Sequence, residues 1–163
     1  MTTIAIKDGV VAADSQLTDG NTLLQVQKVH RLPDGGVVTA AGSWGKAYAA
    51  IRWMLDGQKG EPPEFEDATL VVVRPDKSIW VAENQFPAYP LVGFLYAAGC
   101  GADLARLLMA QGKTPAEAVS GACELDALSS GPIHTMTVYP PRGDGLEVYE
   151  VTKAAGRKRR AKR

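Results

Sequence analysis

The chain opens Met1-Thr2-Thr3, and Thr2 is the first residue whose type and place could do chemistry. A residue this small after an initiator methionine permits that methionine to be clipped. Clipping would put a hydroxyl and a free α-amine on one residue. Such an amine, with an ordinary pKa of about 7.7–8.0, is partly neutral near pH 7 and can take the hydroxyl proton directly or through a water. A retained Met1 would abolish that chemistry. Many non-catalytic proteins begin with Met and a small residue, so the pair means something only in company. The other candidates are weaker. Cys100 and Cys123 are too few and too far apart to indicate a disulfide framework, and neither His30 nor His134 stands in a recognisable Cys-His motif. No His or Cys stands at metal-ligand spacing, so neither a metal nor a cofactor is expected.

The elements that must position these groups have to come from one core. At 163 residues and 45% hydrophobic content the chain suits a single domain, placed at 1–155. Its formal charge is zero, but six of its eighteen basic residues fall in the last seven positions. That leaves 12 basic against 18 acidic groups, a net of −6, on residues 1–156. Residues 156–163 read as a basic tail on an acidic body, the sharper alternative being a tail that grips nucleic acid or another polyanion. No apolar run approaches a membrane span and no signal-peptide layout opens the chain, so a cytoplasmic protein is expected.

Thr2-Thr-Ile-Ala-Ile-Lys7, Asp8-Gly9 and Val10-Val-Ala-Ala-Asp14 read as two strands joined at an Asp-Gly turn. A second pair is expected over 26–32 and 37–41, split by Pro33-Asp34-Gly35-Gly36. Trp44, Ala47, Tyr48, Ile51 and Leu55 then follow helical spacing, with Ser43 as N-cap and Gly57 as stop. The stretch 58–67, with Pro62-Pro63, reads as a loop, and 69–74 and 78–83 as a third hairpin. A helix over 102–111 stops at Gly112. Thr114-Pro115-Ala116-Glu117 caps another, expected to run to about Leu128 and end near Gly131. A last hairpin joins 133–139 to 146–152. Hairpins segregated from helices favour antiparallel sheets with helices outside, an α+β domain.

Thr2-Thr-Ile, Val11-Ala-Ala-Asp14, Gly20-Asn21-Thr22, Lys28-Val-His-Arg-Leu32 and Ala41-Gly42-Ser43 before a helix together resemble proteasome β subunits, most closely the bacterial HslV peptidases. The likeness continues at Gly99-Cys100-Gly101 and at Asp126-Ala-Leu-Ser129-Ser130-Gly131, and covers residues 2 to about 138. It implies a four-layer αββα sandwich of the N-terminal-nucleophile (Ntn) hydrolases, two antiparallel sheets between outer helices. It also implies a threonine peptidase with Thr2 as nucleophile, a homo-oligomeric ring acting on polypeptides, and an ATP-dependent unfoldase as the partner such a ring would take. One family helix, after the first, has only the loop 58–67 in its place.

Residue by residue, the resemblance gives Lys28 as the cation beside Thr2, or else a surface lysine. Asp14 is its carboxylate partner, or else a turn cap before Gln16. Gly42 is the oxyanion-hole N–H, or else a packing glycine. Asp126 and Ser129 form the pair that hydrogen-bonds the nucleophile and its amine, or else cap a helix. Cys100 stands where the family has serine, and sulfur is the poorer hydrogen-bond partner. Leu17, Thr18, Val26, His30, Ala40 and Trp44 align with substrate-binding positions, mostly apolar, which leans toward cleavage after hydrophobic residues; ordinary core positions are the alternative. Three other functions share these residues: an Ntn amidase acting on a small amide, a silent scaffold that keeps Met1, and a polyanion binder acting through the tail.

Overall fold

Asp8 and Gly9 both take positive φ (53° and 83°), the conformation a two-residue hairpin turn demands, and they join β1 (Thr3–Lys7) to β2 (Val10–Ala13) with Lys7 opposite Val10. The computed structural model describes residues 2–138 and the strand at 146–149. β1 pairs on its other side with β10 (Leu95–Gly99), and β2 pairs with β11 (Ile133–Thr137), which pairs with β12 (Leu146–Tyr149). The order is β10-β1-β2-β11-β12, antiparallel throughout.

A second antiparallel sheet is a meander of β5 (Val29–Arg31), β6 (Val37–Gly42), β7 (Ala68–Val73), β8 (Ile79–Glu83) and β9 (Tyr89–Pro90). A separate ribbon of β3 (Gln16–Asp19) and β4 (Thr22–Gln25) leaves the end of β2. The helices are α1 (Trp44–Leu55), α2 (Ala102–Ala110) and α3 (Pro115–Leu125). None is long and apolar enough to cross a membrane.

Strand alternation sorts the apolar side chains into three cores. Ile4, Ile6, Val11 and Met136 of the first sheet meet Val29, Val37, Val71 and Val81 of the second. The alternate residues Ala5, Ala12 and Ala97 face Ala105, Met109, Ala118 and Ala122 of α2 and α3. On the second sheet Val38, Ala40, Leu70 and Val72 lie against Ala47, Ala50, Ile51 and Met54 of α1. The α+β class with antiparallel sheets is therefore observed. One sheet carries two helices and the other carries one, because 58–67 forms no helix.

Some boundaries differ from the sequence expectation. α3 ends at Leu125, not near Leu128: Asp126 leaves helical geometry (φ −94°, ψ 111°) and its carboxylate takes the Leu128 N–H and the Ser129 hydroxyl. Ser43 stands at the N-cap of α1 but its side chain makes no capping bond, whereas the Thr114–Glu117 capping box forms as read. β3, β4, β9 and β10 were not expected, and Val26 lies outside any strand. The turn within the last hairpin and the basic tail at 156–163 fall outside the described residues.

Gly99 takes φ +91°, and a Cβ there would collide with the Thr2 carbonyl oxygen. Gly99→Ala should lower unfolding stability by about 3 kcal/mol through strain and displacement of the Thr2 backbone. Thermal unfolding checks this, and an unchanged Tm would contradict it.

Candidate active site

The chain around Thr2 is clamped on two sides. Cys100, in the turn between β10 and α2, donates its N–H to the Thr2 carbonyl at 2.8 Å and holds its Sγ 3.3 Å from the same oxygen. Gly101 fits here because a Cβ would meet the Thr3 hydroxyl. Thr2 is itself buried, and alternation along β1 turns its side chain to the same side as Ile4, toward the second sheet.

Asp14 follows β2 and is fully buried. Its Oδ1 accepts the Thr3 N–H at 2.9 Å and the Lys28 ammonium at 3.1 Å. Its Oδ2 accepts the N–H groups of Gln16 at 3.0 Å and Ser130 at 3.4 Å. Lys28, also fully buried, donates in addition to the Gln16 carbonyl at 2.6 Å. Asp14 thus caps the turn before Gln16 and pairs with Lys28 at once, and Lys28 is no surface lysine. Burial pushes the Asp14 carboxyl above the usual range, against Lys28 and the N–H groups of Thr3 and Gln16. Burial likewise pulls the Lys28 ammonium down, against the attraction of Asp14.

A second network runs on the far side of β1. Gly101 N–H donates to Thr3 Oγ1 at 3.1 Å, Thr3 Oγ1 lies 2.6 Å from Ser129 Oγ, and Ser129 Oγ donates to Asp126 Oδ2 at 2.7 Å. Because the Ser129 hydrogen goes to the carboxylate, Thr3 must donate to Ser129, and the whole chain is polarised toward Asp126. Cys100 Sγ lies 3.4 Å from Ser129 Oγ. Desolvation raises the Asp126 pKa, but hydrogen bonds from Cys100, Ser129 and the Leu128 N–H outweigh it and hold the carboxyl below its usual value. Asp126 and Ser129 therefore cap the end of α3, and the hydroxyl they reach at the start of β1 is that of Thr3 and not, as expected, that of Thr2. Cys123, on α3, is pushed up to about 12 by burial and is no nucleophile at neutral pH.

Gly42 ends β6 at φ +102°, where a Cβ would meet the Asp67 carbonyl. Ser43 N–H donates to that carbonyl at 2.8 Å, so Gly42 and Ala68 face each other as a pair without mutual hydrogen bonds. The Gly42 N–H consequently turns away from β7, toward the side where β5 has already stopped pairing at Val29–Thr39. Gly42 is a packing glycine, itself exposed, whose N–H lies on the edge away from β7.

The six expected substrate-binding residues divide between two places. Leu17 and Thr18 lie on β3 opposite Leu24 and Leu23, and the Val26 N–H is bound by the Ser15 carbonyl. His30, Ala40 and Trp44 gather under the start of α1, where the His30 and Trp44 rings each lie 6.0 Å from Tyr48. Ala40 is wholly enclosed in the core beneath α1. Burial lowers the His30 pKa, and its Nε2 lies 3.0 Å from the Gln27 carbonyl.

Thr3, Gln16 and Ser130 are parts of the site that the sequence reading did not single out. The signal for Thr3 was a second threonine in a strand of otherwise apolar inward positions; Gln16 and Ser130 act largely through backbone groups and carry no side-chain signal. Among the described residues no group of three or more His, Cys, Asp or Glu could hold a metal ion. A scan against protein-family models finds no matching family, and a search of curated proteins finds no matching relative.

Lys28→Met leaves Asp14 buried and unpaired, and should cost about 3–5 kcal/mol in denaturant unfolding, whereas adding Asp14→Leu should recover part of that loss. Asp126 titrates below its unfolded value, so its contribution is present above about pH 4 and is lost as the pH falls through its folded pKa. Asp126→Asn should flatten the fall of Tm below pH 4, which scanning calorimetry across pH 2–6 checks.

Proposed function

We propose that this chain is an N-terminal threonine hydrolase of the proteasome and HslV class, a peptidase whose Thr2 becomes the nucleophile when Met1 is removed. The observation that carries this reading is the buried Lys28–Asp14 pair, whose carboxylate oxygen also holds the Thr3 N–H. Two buried charges are costly for stability alone. Placing them against the backbone one residue after a threonine gives them a use: a fixed cation that lowers the pKa of the Thr2 amine and favours the developing alkoxide. On this reading the three cores are those of the four-layer Ntn sandwich, with a single helix on one face.

In the reaction, Thr2 Oγ attacks the scissile carbonyl carbon and its proton passes to the Thr2 α-amine. The tetrahedral oxyanion forms at the Gly42 N–H, beside the start of α1, whose dipole adds to its stabilisation. The amine returns the proton to the leaving nitrogen as the C–N bond breaks, leaving an ester on Thr2 that water hydrolyses by the reverse sequence. Asp126, Ser129 and Thr3 fix the backbone that carries the amine. Cys100 stands next to them with a weaker hydrogen-bonding atom than a serine hydroxyl. The substrate is a polypeptide, and the protein works as a ring of identical subunits.

Intact mass and epoxyketone trapping test the reading, since the reagent joins both the hydroxyl and the free amine of an N-terminal threonine. Loss of Met1, one adduct per chain and no adduct in Thr2→Ala are the expected results. Lys28→Met should slow trapping by about 10²–10⁴-fold. A retained Met1 with no adduct would leave a scaffold in place of an enzyme.

A further inference from the structure

The uneven helix layers leave part of the second sheet uncovered. Past the end of α1, the cross-strand pair Val72 and Trp80 borders a cleft lined by Trp53, Phe86 and Ala88, with the Trp53 and Phe86 rings packed on each other as one aromatic surface. This cavity of about 290 Å³ shares Met54, Gln58, Val72 and Arg74 with a neighbouring one of about 310 Å³ that reaches Asp34, so the two make one trough. Its walls are apolar and largely aromatic: the Trp53 and Phe86 rings stand 4.8 Å apart, and Phe65 supports Phe86 from behind at 5.2 Å.

One strong polar group sits where the two halves meet. The Arg74 guanidinium lies 4.0 Å over the Trp80 ring and makes no ion pair among the described residues. Asp76, the nearest carboxylate in sequence, attracts Arg74 without forming an ion pair with it, and its Oδ1 accepts the Ser78 N–H at 2.9 Å and hydroxyl at 2.6 Å. Asp34, at the far end, accepts the Gly36 N–H at 2.9 Å. Stacking uses the face of a guanidinium and leaves its in-plane N–H groups available for a bidentate carboxylate. An apolar concavity with a few placed polar groups, here Arg74 at the junction and Asp34 at the far end, is the usual composition of a small-molecule site.

We propose that this trough binds a small ligand with a flat apolar body and one carboxylate, the body against Trp53, Trp80 and Phe86 and the carboxylate on Arg74. The site is separate from Thr2 and stands whether or not Thr2 is a nucleophile. Isothermal titration calorimetry of the full chain with 2-naphthoate and with 2-naphthamide tests it. The expected result is one site per chain, with naphthoate bound at least about tenfold tighter than the amide, since a hydrogen bond to a charged group carries that difference. Arg74→Gln, a surface substitution, should erase the preference for the carboxylate. Ala88→Leu, which fills the cleft and keeps Arg74, should weaken both probes about tenfold or more. No saturable binding of naphthoate, equal affinity for the two probes, or binding indifferent to both substitutions would overturn the proposal.

Discussion

One carboxylate holds the beginning of this chain in place. Asp14 accepts four donors from four stretches of chain: the Thr3 N–H, the Lys28 ammonium, the Gln16 N–H and the Ser130 N–H. A fully buried carboxylate is tolerable only with its lone pairs engaged, and this one has both oxygens doubly occupied. The start of β1, the turn into the β3–β4 ribbon, the strand entry at Lys28 and the segment after α3 therefore meet at one point. Removing any partner leaves charge in a place that water does not reach. The same carboxylate oxygen holds both the Lys28 ammonium and the N–H of Thr3, one residue after Thr2, so on the proposed reading the group that closes the fold also serves the nucleophile.

Close backbone approaches complete the constraint. Gly99 and Gly101 leave room for the Thr2 carbonyl and the Thr3 hydroxyl, and Gly42 leaves room for the Asp67 carbonyl at the end of β6. Small residues repeat the theme on a larger scale. Ala5, Ala12, Ala97, Ala105, Ala118 and Ala122 let α2 and α3 sit close on the first sheet. The second sheet has one helix and a row of half-buried aromatics beyond its end, which is where the Arg74 trough opens.

Much of this was legible in the sequence, and the parts that were not have physical reasons. The Asp8-Gly9 turn, the period of α1 and the Thr114 capping box are local signals, and each formed. Lys28, Asp14, Asp126 and Ser129 come together in two linked networks, although nothing in their spacing alone requires it. β10 escaped notice because Leu95-Tyr-Ala-Ala-Gly99 has little alternation: it is an edge strand defined by pairing with β1, a non-local contact. The β3–β4 ribbon escaped because β4 is exposed along its length and so shows no buried face to read. α3 stopped early because the Asp126 side chain competes for backbone and hydroxyl donors that helix continuation would need, an effect propensity does not register. Thr3 was overshadowed by Thr2, yet its amide and hydroxyl tie both networks to β1.

On the proposed reading the Lys28 ammonium, fixed by Asp14, tunes the amine of a processed Thr2. The most direct measurement is the pH dependence of the trapping rate of Thr2 by an electrophile, compared between the wild type and Lys28→Met. A cation nearby must hold the amine below its ordinary pKa of about 7.7–8.0, and removing it must move the midpoint of the profile upward. A midpoint that rises in Lys28→Met is the predicted result. Identical midpoints in the two proteins would mean that Lys28 serves the fold alone and does not act on the Thr2 amine.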